Sequence, residues 1–565
     1  MCHFPAWQIL RNRHLCCACV RDFVTARTPG DRVRPRRCAA ELLNDLRTGG
    51  RGLRSVRSVL RAALPRVRAG WPLTAVFVVA LLARLWVVVG DGGFGGDFYY
   101  DPAVYYAAGD ALTHGRVPYA DFVLIHPPLI ALVNVPLAWI GRWTSDHVGF
   151  EIANVVYTVM AAVNAVLVVR VAQAFGCARR AALLAGLFYA VWMGAIAAEF
   201  LVRLEPLGNL VLLLALLAFA TARRRTSPTY SLLAGALLGA LLSVKIWWIV
   251  PVAVLLGWQL LGERATRRTL LMLAGVAGAV IAIDGPFLVV SGGRMLRAVF
   301  AAQLDRVSNG VSVHGRLDKL SGLSQMFGDR FNSDSVAGRP GVQVGLLLFL
   351  GLLVTAAVIA TRTKPGRVFT GVLAAEFIVV LSTPTWFYTY CDYLAVPLGL
   401  VVAHAASVNR SGRHAGPVSA TGLTAFAAIT AVATFVNGGL HLVPALHGTR
   451  QLAKGVAHET CVVADTPMAL IELNALDRSF THGCRDWVDL TGVEHGGGPD
   501  ASDRVVPGRP NSRWSRDLCG YLTSGDAVMI VDRDTWRALP PRCAERIRRS
   551  PVLARSAAGV VRRLR

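Results

Sequence analysis

Polar residue is what this chain has least of. Only 17% of its 565 residues are charged against 54% that are hydrophobic, too little to cover the surface of an ordinary soluble protein. A polytopic membrane protein is the class that remains. Acids are the scarcer sign, with 35 Asp and Glu against 59 Lys and Arg and a net charge of +24. That excess is not a nucleic-acid stripe, because the Arg residues fall in short clusters between apolar runs, the positive-inside pattern of membrane loops. No nucleic-acid partner is expected. No secretory signal peptide is expected, since the first long apolar run begins only near Trp71. The polar segments carry no Gly-rich phosphate loop, which argues against a nucleotide-bound substrate, and no fixed-period repeat is visible.

What is there divides into three parts. Residues 1–70 are Arg-rich and lack apolar periodicity, so a largely disordered cytoplasmic tail is expected, with a surface helix around Leu53 to Leu64. Five Cys lie in this tail, and His14 with Cys16, Cys17 and Cys19 is too tightly spaced for the usual tetrahedral ligand sets. Residues 71–440 hold the apolar runs. Spans are expected at Trp71 to Val89, Phe150 to Ala172, Ala181 to Ala197, Pro206 to Ala222, Tyr230 to Lys245, Trp247 to Leu261, Leu270 to Val290, Val342 to Ala360, Val368 to Leu381, Tyr388 to Ala406 and Leu423 to Leu440. Pro128 to Trp143 is short and interrupted by Pro136, and is read as a helix lying in the membrane interface. Arg clusters recur at alternate connections, so about eleven spans, with the N-terminus cytoplasmic and the C-terminus outside, satisfy every loop. Residues 90–148 and 291–341 then become long extracytoplasmic loops.

From residue 441 onward the pattern turns soluble. Cys461 to Asp465 and Ala527 to Val531 read as buried strands, with helices at Pro467 to Leu476 and Trp514 to Leu522, so residues 441–565 are expected to form a small extracytoplasmic α/β domain. Its four Cys (Cys461, Cys484, Cys519 and Cys543) are enough for two disulfides in an oxidising compartment, with the pairing open.

The chemistry is expected in the stretch from Gly90 to Pro128. It brings Asp91, Asp97, Asp101, Asp110 and Asp121, five Tyr and His126 to the membrane surface. Carboxylates held there are costly unless solvated or used. One reading is a wet loop; the other is a catalytic one. Lys245 ends an apolar run beside Trp247 and Trp248, where it either snorkels to the interface or grips an anion. Asp284 and Glu376 fall inside apolar runs and are expected to hydrogen-bond to neighbouring helices or to serve function. The acids could hold a divalent cation through hard oxygens; no other cofactor is expected and the metal stays unassigned.

Asp101-x-x-Val-Tyr105, then Gly115-x-x-x-Tyr119 and His126-Pro127-Pro128-Leu129, resembles the first extracytoplasmic loop of the GT-C superfamily of membrane glycosyltransferases. Glu205-Pro206, the Gly-rich run from Ala234 closing on Ser243-Val-Lys245, the segment Gln303-Leu-Asp-Arg306 with His314 and Arg316, and the aromatic Phe387-Tyr-Thr-Tyr390 are similar, in order, to the aminoarabinose-transferase and protein-mannosyltransferase branch. Asp101 is followed by Pro102 where the aminoarabinose branch commonly has Glu, so that branch's sugar is not carried over. The resemblance implies an inverting transfer of a sugar from a polyprenyl-phosphate donor to a cell-envelope glycan or glycoprotein outside the cytoplasm. It implies Asp101 as base with Asp97 as rival, Lys245, Arg306 and Arg316 on the donor phosphate, and Glu205, Tyr105, His126 and Gln303 on the substrates. Mannose is the preferred sugar and arabinofuranose the second, and the Ala, Arg, Gly and Val usage with scarce Lys suggests an actinobacterial source. The competing reading is a transporter or flippase of lipid-linked sugars, with Asp284 and Glu376 as coupling groups.

Overall fold

A computed structural model describes residues 52–90, 93–94, 100–304, 308–326, 338–408, 415–437, 448–492 and 513–565. The Cys-bearing tail, Asp97 and Arg306 lie outside the described residues.

The architecture is helical. In chain order come α1 (Gly52–Gly90), α2 (Tyr100–Thr113), α3 (Leu129–Trp143), α4 (Asp146–Ala174), α5 (Arg179–Val191), α6 (Leu204–Arg225), α7 (Pro228–Leu242), α8 (Ile249–Gly257) and α9 (Thr266–Ile283). They are followed by α10 (Val313–Ser321), α11 (Pro340–Ala360), α12 (Lys364–Ser382), α13 (Ala395–Ser407) and α14 (Ala415–Val436). Among the described residues eight helices are long and apolar enough to cross a membrane, and nine if the pair Gly285–Ser291 and Gly293–Leu304, bent by 110°, counts as one. The larger count expected from sequence included three segments that are shorter or interrupted here. α5 stops after 13 residues because Trp192 turns extended, α7 has 15 residues, and the run Ile246–Gly262 is divided among a 3-10 turn, α8 and a π turn. α3 has the 15 residues and internal Pro136 expected of an interfacial helix.

Burial sorts these helices. The span Tyr388–Ser407 is 94% buried and α6 78%, whereas α9 is 17% buried and presents Leu270, Leu273 and Ile281 outward. Fully apolar helices gain little from hydrophobic contact in lipid, so close packing has to hold them together. α7 meets α9 through small residues: a Cβ on Gly235 would lie 2.0 Å from the Met272 carbonyl oxygen, and one on Gly275 would lie 2.3 Å from that of Leu232. The segment 291–341, expected as a polar loop, is largely helical where described.

The C-terminal part carries a four-stranded sheet of order β1-β2-β4-β3, with β1 (Val462–Ala464), β2 (Ala527–Met529), β3 (Val552–Ser556) and β4 (Gly559–Arg563). β1 and β2 run parallel and are fully buried, while β3 and β4 form an antiparallel hairpin at the sheet edge. Its helices include α15 (Pro467–Glu472), α16 (Leu476–Thr481) and α17 (Arg513–Leu522). Disulfides join Cys461 to Cys484 and Cys519 to Cys543.

Candidate active site

The site is assembled from the starts of helices. Asp101 occupies the first turn of α2, where unpaired backbone amides favour a carboxylate. Its side chain is 52% exposed, yet every residue from Pro102 to Ala111 behind it is buried. The exposed acid therefore stands on a rigid base. Gly115, at φ +74°, ends that base: the amides of Gly115 and Arg116 turn back onto the carbonyls of Leu112 and Ala111, a backbone path that favours glycine.

α6 supplies the second piece. Arg203 is extended just before it, and its guanidinium lies 3.6 Å from Asp101 and donates to the Tyr388 hydroxyl at 3.3 Å. Glu205, two residues on in the first turn of α6, points elsewhere and accepts from Lys245 Nζ at 3.0 Å. Lys245 sits in extended backbone after α7, its ammonium 4.2 Å from the Trp247 ring centroid and 4.3 Å from that of Tyr390. Lys245 and Glu205 are each 5% exposed. An ammonium so enclosed trades its water for one carboxylate and two aromatic faces. Snorkelling does not describe it.

Tyr105, one turn beyond Asp101, lies in the field of both acids. Burial first, then the charges of Asp101 and Glu205, push its hydroxyl well above the usual phenol range, so it stays a protonated donor. His126 meets the Tyr105 ring edge-on at 5.7 Å, and its carbonyl accepts from Tyr119 Oη at 2.5 Å. Gln303 donates to the Ile125 carbonyl at 2.9 Å, which ties the bent helix pair to this loop. Tyr100 Oη donates to Asp489 at 3.0 Å, so the C-terminal unit also touches the start of α2.

Of the residues singled out in the sequence, the structure thus brings Asp101, Tyr105, His126, Glu205 and Lys245 into one neighbourhood and sets Gln303 at its rim. It gives Arg316 a different surrounding: that guanidinium is buried and donates to the carbonyls of Val311, Leu381 and Thr383 at 3.1, 2.8 and 2.7 Å, clamping α10 to the end of α12. Asp284 accepts from Ser243 at 2.5 Å, the interhelical bond expected of it. Glu376 has no such bond: it is fully buried, and neither carboxylate oxygen has a hydrogen-bond partner among the described residues.

Sequence reasoning passed over two features. Arg203 is one, because its reach across to Asp101 depends on the turn between α5 and α6. Arg84 lies inside the first span and pairs with Glu199 at 2.5 Å, while Tyr189 donates to the same carboxylate at 2.6 Å and Asn209 joins Tyr189 to Asp392. An Arg within an apolar span was the available signal.

The model of glycosyltransferase family 87 matches residues 124–384. No curated protein sequence matches the chain. Among solved structures it is similar to ArnT from Cupriavidus metallidurans bound to undecaprenyl phosphate, with a TM-score of 0.55 at 15% identity, covering 87% of this chain and 98% of that one. It is also similar to the Archaeoglobus fulgidus oligosaccharyltransferase in complex with zinc and sulfate, with a TM-score of 0.50 at 13% identity, covering 84% of this chain and 71% of that one. The family model covers a little under half of the chain, and the two solved structures share its fold.

Proposed function

We propose that the protein moves a sugar, mannose before arabinofuranose, from a polyprenyl phosphate to a cell-envelope glycan or glycoprotein acceptor, on the extracytoplasmic face of the plasma membrane and with inversion. The observation that carries this reading is an accessible carboxylate, Asp101 paired with Arg203, and an enclosed cation, Lys245 paired with Glu205, with Tyr105 in the field of both acids. The fold it shares with a transferase bound to undecaprenyl phosphate supports a lipid-linked donor.

In the reaction, Asp101 takes the proton of the acceptor hydroxyl as that oxygen attacks the anomeric carbon. The bond from that carbon to the phosphate oxygen breaks, and the electron pair leaves on the phosphate, whose charge Lys245 balances. Donor binding would have to draw Lys245 from Glu205 at least in part. Glu205 then holds the ammonium in place when no phosphate is present, and Arg203 fixes the carboxylate that acts as base. Tyr105, His126 and Gln303 shape the substrate side. Asp97 remains the rival base and Arg306 a further phosphate ligand, both in segments outside the described residues.

Purified protein supplied with radiolabelled polyprenyl-phosphate mannose, and in parallel with the arabinofuranose donor, tests this with an oligosaccharide acceptor. New glycosidic product from one donor, reduced about 10²–10⁴-fold by Asp101→Asn, is expected for a general base. Movement of the lipid-linked sugar across vesicles with no new glycosidic bond would instead identify a flippase.

A further inference from the structure

A second cluster of ionisable groups lies on the opposite end of α2, where about 14 Å of helix separates it from Asp101 at 1.5 Å per residue. Asp110, His114 and Asp477 each offer one ligand atom, and these atoms lie within 4.8 Å of one another. His114 Nε2 is 2.8 Å from Asp477 Oδ1 and 3.9 Å from Asp110 Oδ1. Asp110 is 2% exposed, and its Oδ2 has no hydrogen-bond partner among the described residues. A buried carboxylate oxygen without a donor costs free energy unless something positive meets it.

We propose that Asp110, His114 and Asp477 form a zinc-type cation site that rivets the C-terminal α/β unit to the helix carrying Asp101. The ligand set decides the metal class. One imidazole and two carboxylates suit zinc, whereas calcium and magnesium take oxygen ligands throughout. Tetrahedral ligand atoms about 2.1 Å from zinc stand about 3.4 Å apart. The wider separations therefore need to close by at most about 1.4 Å and the His114–Asp477 contact to open by about 0.6 Å, within the reach of rotamer changes. Two carboxylates neutralise the ion. Arg142 Nε lies 3.2 Å from the same Asp477 oxygen, so the ion would take over a carboxylate that this guanidinium holds in its absence. α2 lies in the first polar segment and Asp477 in α16, so the ion would join two parts of the chain more than 360 residues apart, as the bond from His114 to Asp477 already does across 363.

Full-length protein in detergent, stripped with chelator and dialysed, should take up one Zn2+ per chain and unfold at a higher temperature when it does. His114→Gln and Asp477→Asn should abolish both effects. Uptake of less than one Zn2+, or uptake that both variants retain, would place any ion elsewhere and overturn the proposal. Co2+ on the unaltered chain provides a reading independent of how the variants fold. A tetrahedral visible absorbance that Zn2+ displaces, without thiolate charge-transfer bands, is expected. Weak octahedral absorbance, or thiolate bands from the N-terminal Cys, would overturn it.

Discussion

The pair between Lys245 and Glu205 allows structural and catalytic roles to be separated. Both side chains are almost completely buried, and Nζ lies 3.0 Å from Oε1. Lys245→Met leaves the Glu205 carboxylate without that cation, and removing one member of a buried pair costs about 3–5 kcal/mol. Glu205→Gln keeps a neutral acceptor for the ammonium and leaves the Trp247 and Tyr390 faces in place, so its cost should fall to about 1.5–3 kcal/mol, the worth of a charged hydrogen bond. The double variant removes both charges, and the thioether packs on the same two rings. Its stability should return to within about 1 kcal/mol of the parent, which makes the coupling between the two sites at least about 3.5 kcal/mol. Chemical unfolding in detergent gives the stabilities, and sugar transfer from the lipid phosphate gives the activities. If Lys245 balances the leaving phosphate, the double variant folds yet transfers about 10²–10³-fold more slowly, the usual loss for one electrostatic donor. Transfer within a few-fold of the parent would refute the phosphate role. Additive single losses would refute the buried pair itself.

Three further outcomes follow from packing, crosslinks and burial. Gly235→Ala drives a Cβ into the Met272 carbonyl and should destabilise the helix pair by about 1–3 kcal/mol, whereas Gly278→Ala, on the partner helix α9, meets nothing within 4 Å and should be neutral or stabilising by thermal unfolding. Reduction of the two disulfides, which close separations of 23 and 24 residues, should lower stability by about 3 kcal/mol each, read as a fall in the midpoint of unfolding of the C-terminal unit. Asp486 is buried with one oxygen unpartnered, and burial pushes its carboxyl from 3.8 up to about 6. The folded state thus holds this proton more tightly than the unfolded one, so the group's contribution is greatest below pH 3.8 and falls as pH rises to about 6, by about 3 kcal/mol at 1.36 kcal/mol per pKa unit. Asp486→Asn should flatten the unfolding midpoint across that interval, and an unchanged slope would refute the assignment.

The sequence made the long spans legible because length and apolarity alone define them, and Trp71–Gly90, Pro340–Ala360 and Lys364–Ser382 begin and end within a few residues of expectation. It misread segments in which backbone geometry overrides composition. Ala181 to Ala197 is apolar throughout, yet Trp192 breaks the helix so that its indole can donate to the Leu320 carbonyl at 3.1 Å. The buried strands Val462–Ala464 and Ala527–Met529 were visible as apolar runs; the hairpin Val552–Arg563 was not, since its alternation is interrupted by Arg. Candidate site residues were legible by type. Their partners were not, because pairing across 40 residues or more depends on how helix ends meet.

That distinction matters most at Arg203 and Glu205. Neighbours of opposite charge invite a local ion pair, but at the mouth of α6 the first is extended and the second helical, so the two side chains diverge. Arg203 goes to the acid that opens to water and Glu205 to the cation enclosed by rings. A base must meet an acceptor arriving from outside, whereas a phosphate ligand works best where water is scarce and charge is felt strongly. The two pairs meet these opposite demands within three residues of chain. Exchanging the partners would bury the base and expose the phosphate ligand, and neither could then do its part. The departure of α6 from extended backbone at residue 203 is therefore the structural feature on which the proposed transfer most depends.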